Sequence, residues 1–255
     1  KKKEKIGFLL TLFCGFPAWT PPKKIQGKKQ EEKNKAIKAY PAYEPGSQVI
    51  YSDLNFIVLT AIIEEETGRR IDDVFREYVA KPLGLKRTLY APLAVFSKDE
   101  IVATELDESN NALVGEVHDE NARAMDGVSG HAGLFTTTRE ATTIARSLLS
   151  SFNGKGGLLA TSSARAMWSP WMCASNDCFG LGWQVYKRGA TLSGGDLMSE
   201  GKAFGHTGYT GVSIWVDAER DLTVAFFTNR VHPSRDNTKI SLVRPIIHNA
   251  VLSCI

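Results

Sequence analysis

Phe204-Gly205-His206-Thr207-Gly208-Tyr209-Thr210-Gly211 leads into Val212-Ser213-Ile214-Trp215-Val216, and this stretch decides the class of fold. Its second half alternates in side-chain character at period two, as expected of a strand whose successive side chains point to opposite faces. The acidic turn Asp217–Asp221 separates it from Leu222-Thr223-Val224-Ala225-Phe226-Phe227, so the two runs read as a hairpin. Just upstream, Gly180-Leu181-Gly182-Trp183-Gln184-Val185-Tyr186 reads as a further strand.

Outward from this sheet the period changes to that of helices. The clearest helix follows Tyr51: Phe56, Leu59 and Ile63, with Ile57 and Ala61, recur at helical spacing. Ser52 or Asp53 is placed to cap it, and Gly68 to end it in the left-handed conformation. A second helix is expected from about Ile71 to Ala80, ended by Pro82-Leu83-Gly84. Residues 91–133 read as loop, with glycines at 127, 130 and 133. Thr138 is placed to cap a helix from Arg139 to about Ser150, and Gly154-Lys155-Gly156-Gly157 is a turn. Residues 239–252 read as a closing helix with Ile240, Val243, Ile247 and Val251 on one face. Helices first and an antiparallel sheet afterwards make an α+β protein, not alternating βαβ units.

The 255 residues are 43% hydrophobic and 23% charged, which excludes wholesale disorder and a collagen-like repeat. No apolar run reaches the roughly 20 residues of a membrane-spanning helix. The net charge of +3 hides an asymmetry: residues 1–40 hold 11 lysines against three glutamates, and the remainder 20 basic against 25 acidic side chains. With no arginine and few aromatics at that end, the lysines read as a solvated loop and not as a nucleic-acid surface. Residues 17–46, rich in Pro, Lys and Gly, read as a lid or linker with a helical stretch near 31–40. Residues 1–15 have the basic start and short apolar run of a secretory leader, but Phe13-Cys14 suits its cleavage site poorly, and a buried internal segment Ile6–Phe13 is the expectation. Four cysteines (14, 173, 178 and 254) do not make a disulfide framework; they read as free thiols, with a Cys173–Cys178 pairing left open.

No phosphate loop, no dinucleotide fingerprint and no zinc spacing among the five histidines occurs, so neither a metal nor a cofactor is expected. Ser129 has glycines nearby, yet His131 stands where a nucleophile elbow needs glycine. Two short motifs carry the chemistry. Tyr51-Ser52-Asp53 lies where a loop enters a helix; a tyrosine there can move a proton if cations lower its pKa from about 10. His206-Thr207-Gly208 opens a strand, where small residues let a substrate carbonyl or carboxylate approach the backbone.

With these motifs the chain resembles the superfamily of serine β-lactamases, penicillin-binding proteins and family VIII carboxylesterases, on its class C β-lactamase side. The resemblance covers nearly the whole chain. It runs through Leu9-Leu10-Thr11 to Gly15-Phe16-Pro17-Ala18-Trp19, Tyr51–Phe56, Pro82-Leu83-Gly84-Leu85, Gly115–Ala122, Gly130-His131-Ala132-Gly133-Leu134-Phe135, Gly180–Trp183, Phe204–Gly211 and Thr228-Asn229-Arg230. It implies a β-lactamase/transpeptidase-like fold, with residues 1–165 mostly helical, 166–255 forming the sheet part, and a site at their junction lined by Tyr51 and the His206–Gly208 strand start. Tyr51 would be general base and acid, Asp53 would orient substrate or a lysine, and His206, Thr207, Gly208 and Tyr209, the last through its backbone N–H, would bind substrate. That substrate would be a small ester, a β-lactam or a peptide ending in a D-amino acid. His206 in place of a lysine weakens the β-lactam case, because a neutral imidazole lacks a permanent charge for the drug's carboxylate.

The family's Ser-x-x-Lys nucleophile, which stands several tens of residues ahead of Leu-Leu-Thr, is not found. The only literal match, Ser199-Glu200-Gly201-Lys202, lies among glycines unsuited to the helix that would align serine and lysine. Cys14, in apolar surroundings, is not expected to be an activated thiolate. The expectation is therefore a serine-hydrolase-type protein, weak or inactive in this form. The alternatives are a non-catalytic remnant of the fold and a secreted lipoprotein-like domain anchored through Cys14. Unpaired strand edges would favour a homo-oligomer.

Overall fold

The computed structural model describes residues 16, 38–39, 42–44, 46–173 and 178–255. The expected internal segment Ile6–Phe13, Cys14, and nearly all of the lid-like stretch 17–46 lie outside the described residues. Those described fall into two compact units, Lys1–Ala103 with Leu113–Phe135, and Thr104–Ala112 with Thr136–Ile255.

In the first unit, α1 (Asp53–Thr67) follows directly on Tyr51 and ends at Gly68, whose φ of 64° is the left-handed stop expected of it. Ser52 occupies the cap position, but its side chain makes no capping bond. Leu54 and Ile57 pack with Met125, and Phe16 and Ala39 lie against them. The expected second helix is α2 (Ile71–Phe75), continued by one π-helical turn, Arg76–Ala80. The region read as loop, 91–133, holds two 3-10 turns, Pro92–Ala94 and Lys98–Glu100, and a short α-helix, α3 (Glu120–Ala124), which the Asp119 carboxylate caps by accepting from the Ala122 N–H at 2.8 Å.

The second unit is a six-stranded antiparallel meander in strand order β1-β2-β3-β4-β5-β6. Its strands are Met172–Cys173, Cys178–Phe179, Gln184–Val185, Ala203–Thr207, Ser213–Asp217 and Leu222–Phe226. The hairpin falls where the period-two pattern puts it, with Ser213 opposite Phe226 and Asp217 opposite Leu222. The run 180–186 is not one strand. Gly180 donates its N–H to Trp183 O across a turn, and only Gln184–Val185 joins β4. Cys173 and Cys178, read as free thiols, are joined by a disulfide across β1 and β2, where the antiparallel register places them opposite each other.

Helix α4 (Thr138–Phe152) begins one residue earlier than expected, capped by the Thr137 hydroxyl, and packs on β5 and β6. With α5 (Thr161–Met167), which the sequence reading missed, it covers one sheet face through Leu148, Leu149, Trp168, Phe204 and Val216. Trp168 stacks on Phe204 at 4.8 Å. The opposite face buries Tyr186, Met198, Ala203, Trp215 and Leu252. Gly205 is required in β4 because the Trp215 indole opposite occupies the place of its missing side chain, with Cε2 2.6 Å from where a Cβ would stand.

Helix α6 (Ile240–Leu252) corrects the expected face. Its buried positions are Arg244, His248 and Leu252, not Ile240, Val243, Ile247 and Val251. Polar groups face inward because the turn after β4 presents carbonyls there: Arg244 Nη2 donates to Gly208 O at 2.7 Å and to Val212 O at 2.9 Å. His248 Nε2 meets the Ser213 hydroxyl at 3.1 Å.

Burial and then Arg244 lower the His248 pKa to about 4. Its Nδ1 has no partner among the described residues, so protonation would bury an N–H without an acceptor. The unfolded chain, with an ordinary pKa near 6.5, binds that proton more readily, so stability falls as pH drops from about 6.5 towards 4. The expected loss is about 3 kcal/mol. Urea unfolding at pH 7, 5.5 and 4 measures it, and His248→Gln should flatten most of the slope. His206, whose pKa is lowered in the same direction, contributes to the remainder.

Candidate active site

Tyr51, Asp53, Asp119, Ser129 and His131 come together in the first unit. Tyr51 is 53% exposed at the entrance to α1. Its phenol is pushed up to about 12, first by desolvation and then by the carboxylates of Asp53 and Asp119. At neutral pH Tyr51 is a phenol able to donate a proton or a hydrogen bond.

The structure makes Asp119 and His131 a unit. His131 Nε2 lies 2.8 Å from Asp119 Oδ1, and its Nδ1 lies 2.8 Å from the Ser129 hydroxyl. The His131 ring is buried and Asp119 partly so. Desolvation raises the Asp119 pKa. It is outweighed by the hydrogen bond and charge of His131 and by the Ala122 and Asn121 N–H groups, which hold the carboxyl below its usual range. Asp53 moves the other way, raised by desolvation and by Asp119 against the opposing pull of His131.

The loop carrying Ser129 and His131 is pinned from several directions. The Gly130 N–H donates to Thr60 Oγ1 at 2.9 Å, Tyr90 Oη donates to Ser129 O at 3.2 Å, and Leu89 bridges to Phe135. Gly130 lies so close to α1 that a Cβ would run into Thr60 Oγ1 and stand 2.9 Å from Phe56 O. Asp53, Asp119 and His131 each offer one ligand atom, all within 4.8 Å of one another, and are the residues best placed to hold a cation. Both His131 nitrogens are already engaged by Ser129 and Asp119. The signal for this cluster was Val117-His118-Asp119 together with Ser129-Gly130-His131; testing Ser129 only as a nucleophile elbow passed it over.

The second unit carries His206, Thr207, Gly208 and Tyr209. β3 meets β4 at Gln184 opposite Gly205 and Val185 opposite Phe204, and β4 runs on through Thr207 paired with β5. His206 Nδ1 meets Thr207 O at 2.8 Å. Desolvation lowers its pKa, the Thr207 carbonyl opposes this and Arg244 adds to it, so the ring is neutral at pH 7. The Gly208 N–H is spent on Val212 O at 2.8 Å. Tyr209 is exposed beneath the Arg230 guanidinium, 4.1 Å from its ring centre, and Arg230 Nε donates to Tyr209 O at 2.7 Å. Positive charge thus stands beside the strand end although position 206 is a histidine.

Ser199 and Lys202 do not form a reactive pair. They lie in a turn, with Lys202 N–H donating to Ser199 O at 3.1 Å. The Ser199 hydroxyl accepts from Arg220, while the Lys202 ammonium faces Glu219 at 3.6 Å.

An α+β fold with an antiparallel sheet flanked by helices is that of the β-lactamase/transpeptidase-like proteins. The chain belongs to the β-lactamase family, whose family description matches residues 6–245. It is 32% identical to a putative D-alanyl-D-alanine carboxypeptidase of Salmonella enteritidis, over 94% of this chain and 60% of that protein, and equally so to its Salmonella typhi counterpart. The chain therefore spans about 60% of the length of the curated relatives it matches. Among solved structures it resembles EstCE1, a hydrolase with promiscuous acyltransferase activity, with a TM-score of 0.72, 21% identity, and 96% and 71% of the two chains covered. It also resembles the octameric penicillin-binding protein homologue of Pyrococcus abyssi, with a TM-score of 0.64, 16% identity, and 94% and 55% covered. These likenesses carry the fold.

Gly130→Ala should cost about 1–3 kcal/mol, as overpacked sites do. Urea unfolding reads the loss. The histidine NMR spectrum should show the His131 resonance displaced, since its loop must move off α1.

Proposed function

We propose that this chain supplies the proton-handling and substrate-binding groups of an acyl-transfer site that acts on amide or ester bonds. Peptides ending in D-alanyl-D-alanine are the favoured substrate class. The observation that carries the reading is the 32% identity with the putative carboxypeptidases over 94% of the chain, in which Tyr51-Ser52-Asp53 and His206-Thr207-Gly208 are both present.

In this reading an extended peptide end lies beside the end of β4, where main-chain groups pair with it as a strand would. Thr207 and the Tyr209 N–H orient the carbonyl and stabilise the developing oxyanion. Arg230, held against the Tyr209 ring, provides positive charge for a terminal carboxylate. Tyr51, a phenol at neutral pH, donates its proton to the departing amine or alcohol and hydrogen-bonds the reacting oxygen. The nucleophile is assigned to none of the 255 residues, and the turn geometry of Ser199 favours a second reading, a binding remnant of the same fold.

Hydrolysis of a D-alanyl-D-alanine peptide, a chromogenic cephalosporin and a short-chain nitrophenyl ester separates these readings. This chain by itself should show at most a residual rate, the roughly 10³-fold over water that a site keeps once its nucleophile is gone. Ser199→Ala should leave it unchanged. Peptide binding, followed by calorimetry, should weaken about 10-fold in Thr207→Val and Arg230→Gln, and a double-mutant cycle of Tyr51→Phe with Thr207→Val tests whether both groups act on one substrate. Robust turnover abolished by Ser199→Ala would overturn the assignment. No binding of any of the three compounds would leave only the fold.

A further inference from the structure

The segment Thr104–Ala112 belongs to the sheet unit, although the chain on either side of it belongs to the other unit. Its Glu105 is buried and engages the loop that follows Arg230 through a single residue, Arg235. Glu105 Oε1 accepts from Arg235 Nε at 3.0 Å and from the Arg235 backbone N–H at 3.1 Å, and Oε2 accepts from Arg235 Nη2 at 2.6 Å. One position further on, the Leu106 N–H donates to Pro233 O at 3.2 Å. Two consecutive residues from far earlier in the chain thus fix the loop at 233 and at 235.

The same loop offers its carbonyls to Arg230. Arg230 Nη1 donates to Arg235 O at 2.7 Å and to Asn237 O at 3.1 Å, and Nε donates to Tyr209 O at 2.7 Å. The guanidinium carbon stands 4.1 Å from the centre of the Tyr209 ring. With Nε and both Nη1 hydrogens committed, the two hydrogens on Nη2 are those left to meet an anion. The Glu105–Arg235 pair does little for stability as such, because taking two charges out of water costs about what their attraction returns. An apolar pair would fill the same space. It would not hold the Arg235 carbonyl in place, since that needs an acceptor at a fixed point for the Arg235 N–H.

We propose that Glu105 is a positioning residue for the anion anchor of this chain. By holding Arg235 at both its N–H and its guanidinium, it sets the carbonyls that keep Arg230 against Tyr209 with Nη2 left for a substrate carboxylate. The carboxylate rests on the acyl-transfer reading; the positioning of Arg230 does not. A carboxylate is then met through one guanidinium nitrogen, not by the two-pronged pairing that an uncommitted arginine offers, so the contact depends on where Arg230 is held.

The test begins without substrate. In the nitrogen-15 NMR spectrum the Arg230 Nε–H signal, identified by its loss in Arg230→Gln, should be displaced upfield by the Tyr209 ring and exchange slowly with solvent. In Glu105→Gln it should return towards the ordinary arginine position and exchange at least about 10-fold faster, the equivalent of one hydrogen bond from a charged donor. Arg235→Lys, which keeps the charge and loses the two-pronged pair, should give the same change. The double variant should add little to either single one, since all three break one connection. Calorimetry then compares an acetylated peptide ending in D-alanyl-D-alanine with its C-terminal amide. The acid should bind about 10-fold more tightly than the amide, and that ratio should approach one in both variants while the affinity for the amide stays unchanged. An Arg230 signal unmoved in folded Glu105→Gln and Arg235→Lys overturns the proposal, even where both variants lose stability. Absence of binding by either peptide strikes the functional reading and leaves the Arg230 signal to decide this inference.

Discussion

The sheet unit depends on a buried guanidinium. Arg244 holds the carbonyls of Gly208 and Val212, and so closes the loop between β4 and β5 from beneath. Each hydrogen bond from a charged donor is worth about 1.5–3 kcal/mol, and an unmet carbonyl in the same place would cost a similar amount. This one interaction sets the course of the chain from His206 to Val212. It also accounts for the polar buried stripe of α6 and, with the partnerless Nδ1 of His248, for the sensitivity of that unit to acid.

The other unit solves a comparable problem with a carboxylate. Asp119 caps α3 and at the same time receives His131, so one buried charge is met by two backbone N–H groups and one imidazole. Gly130 brings the loop against α1 closely enough for this, and no larger residue fits there. The result is an electrostatic setting that pushes the Tyr51 phenol and the neighbouring Asp53 carboxyl up.

Membership of the β-lactamase family and the strand patterning agree, and the charges around the two motifs are set from a distance along the chain. His206 carries no permanent charge, and Arg230 on the Tyr209 ring brings one beside the strand end. Asp53 stands at the helix start, and Asp119 opposes its ionisation. In both cases the partner lies 24 or more positions away in the chain.

Much of the fold was legible in the residues because it rests on local rules. Period-two alternation and the acidic turn located β5 and β6, helical spacing and Gly68 bounded α1, and the motif residues at 51–53 and 206–209 stood out by type. What failed did so for non-local reasons. The 180–186 run was broken by a turn that hydrogen bonding across Gly180 and Trp183 creates, and α3 was missed because a cap by one carboxylate made a helix of five residues. α6 turned a polar stripe inward because carbonyls from a different strand connection needed a donor. Sequence alone determined which elements form and where the reactive residue types sit, since propensity and periodicity act between near neighbours. Only the tertiary structure decided that burial pushes the Asp53 carboxyl up while hydrogen bonds hold that of Asp119 down, and that Cys173 meets Cys178. Desolvation and hydrogen bonding depend on groups brought together by folding, and no local pattern encodes them.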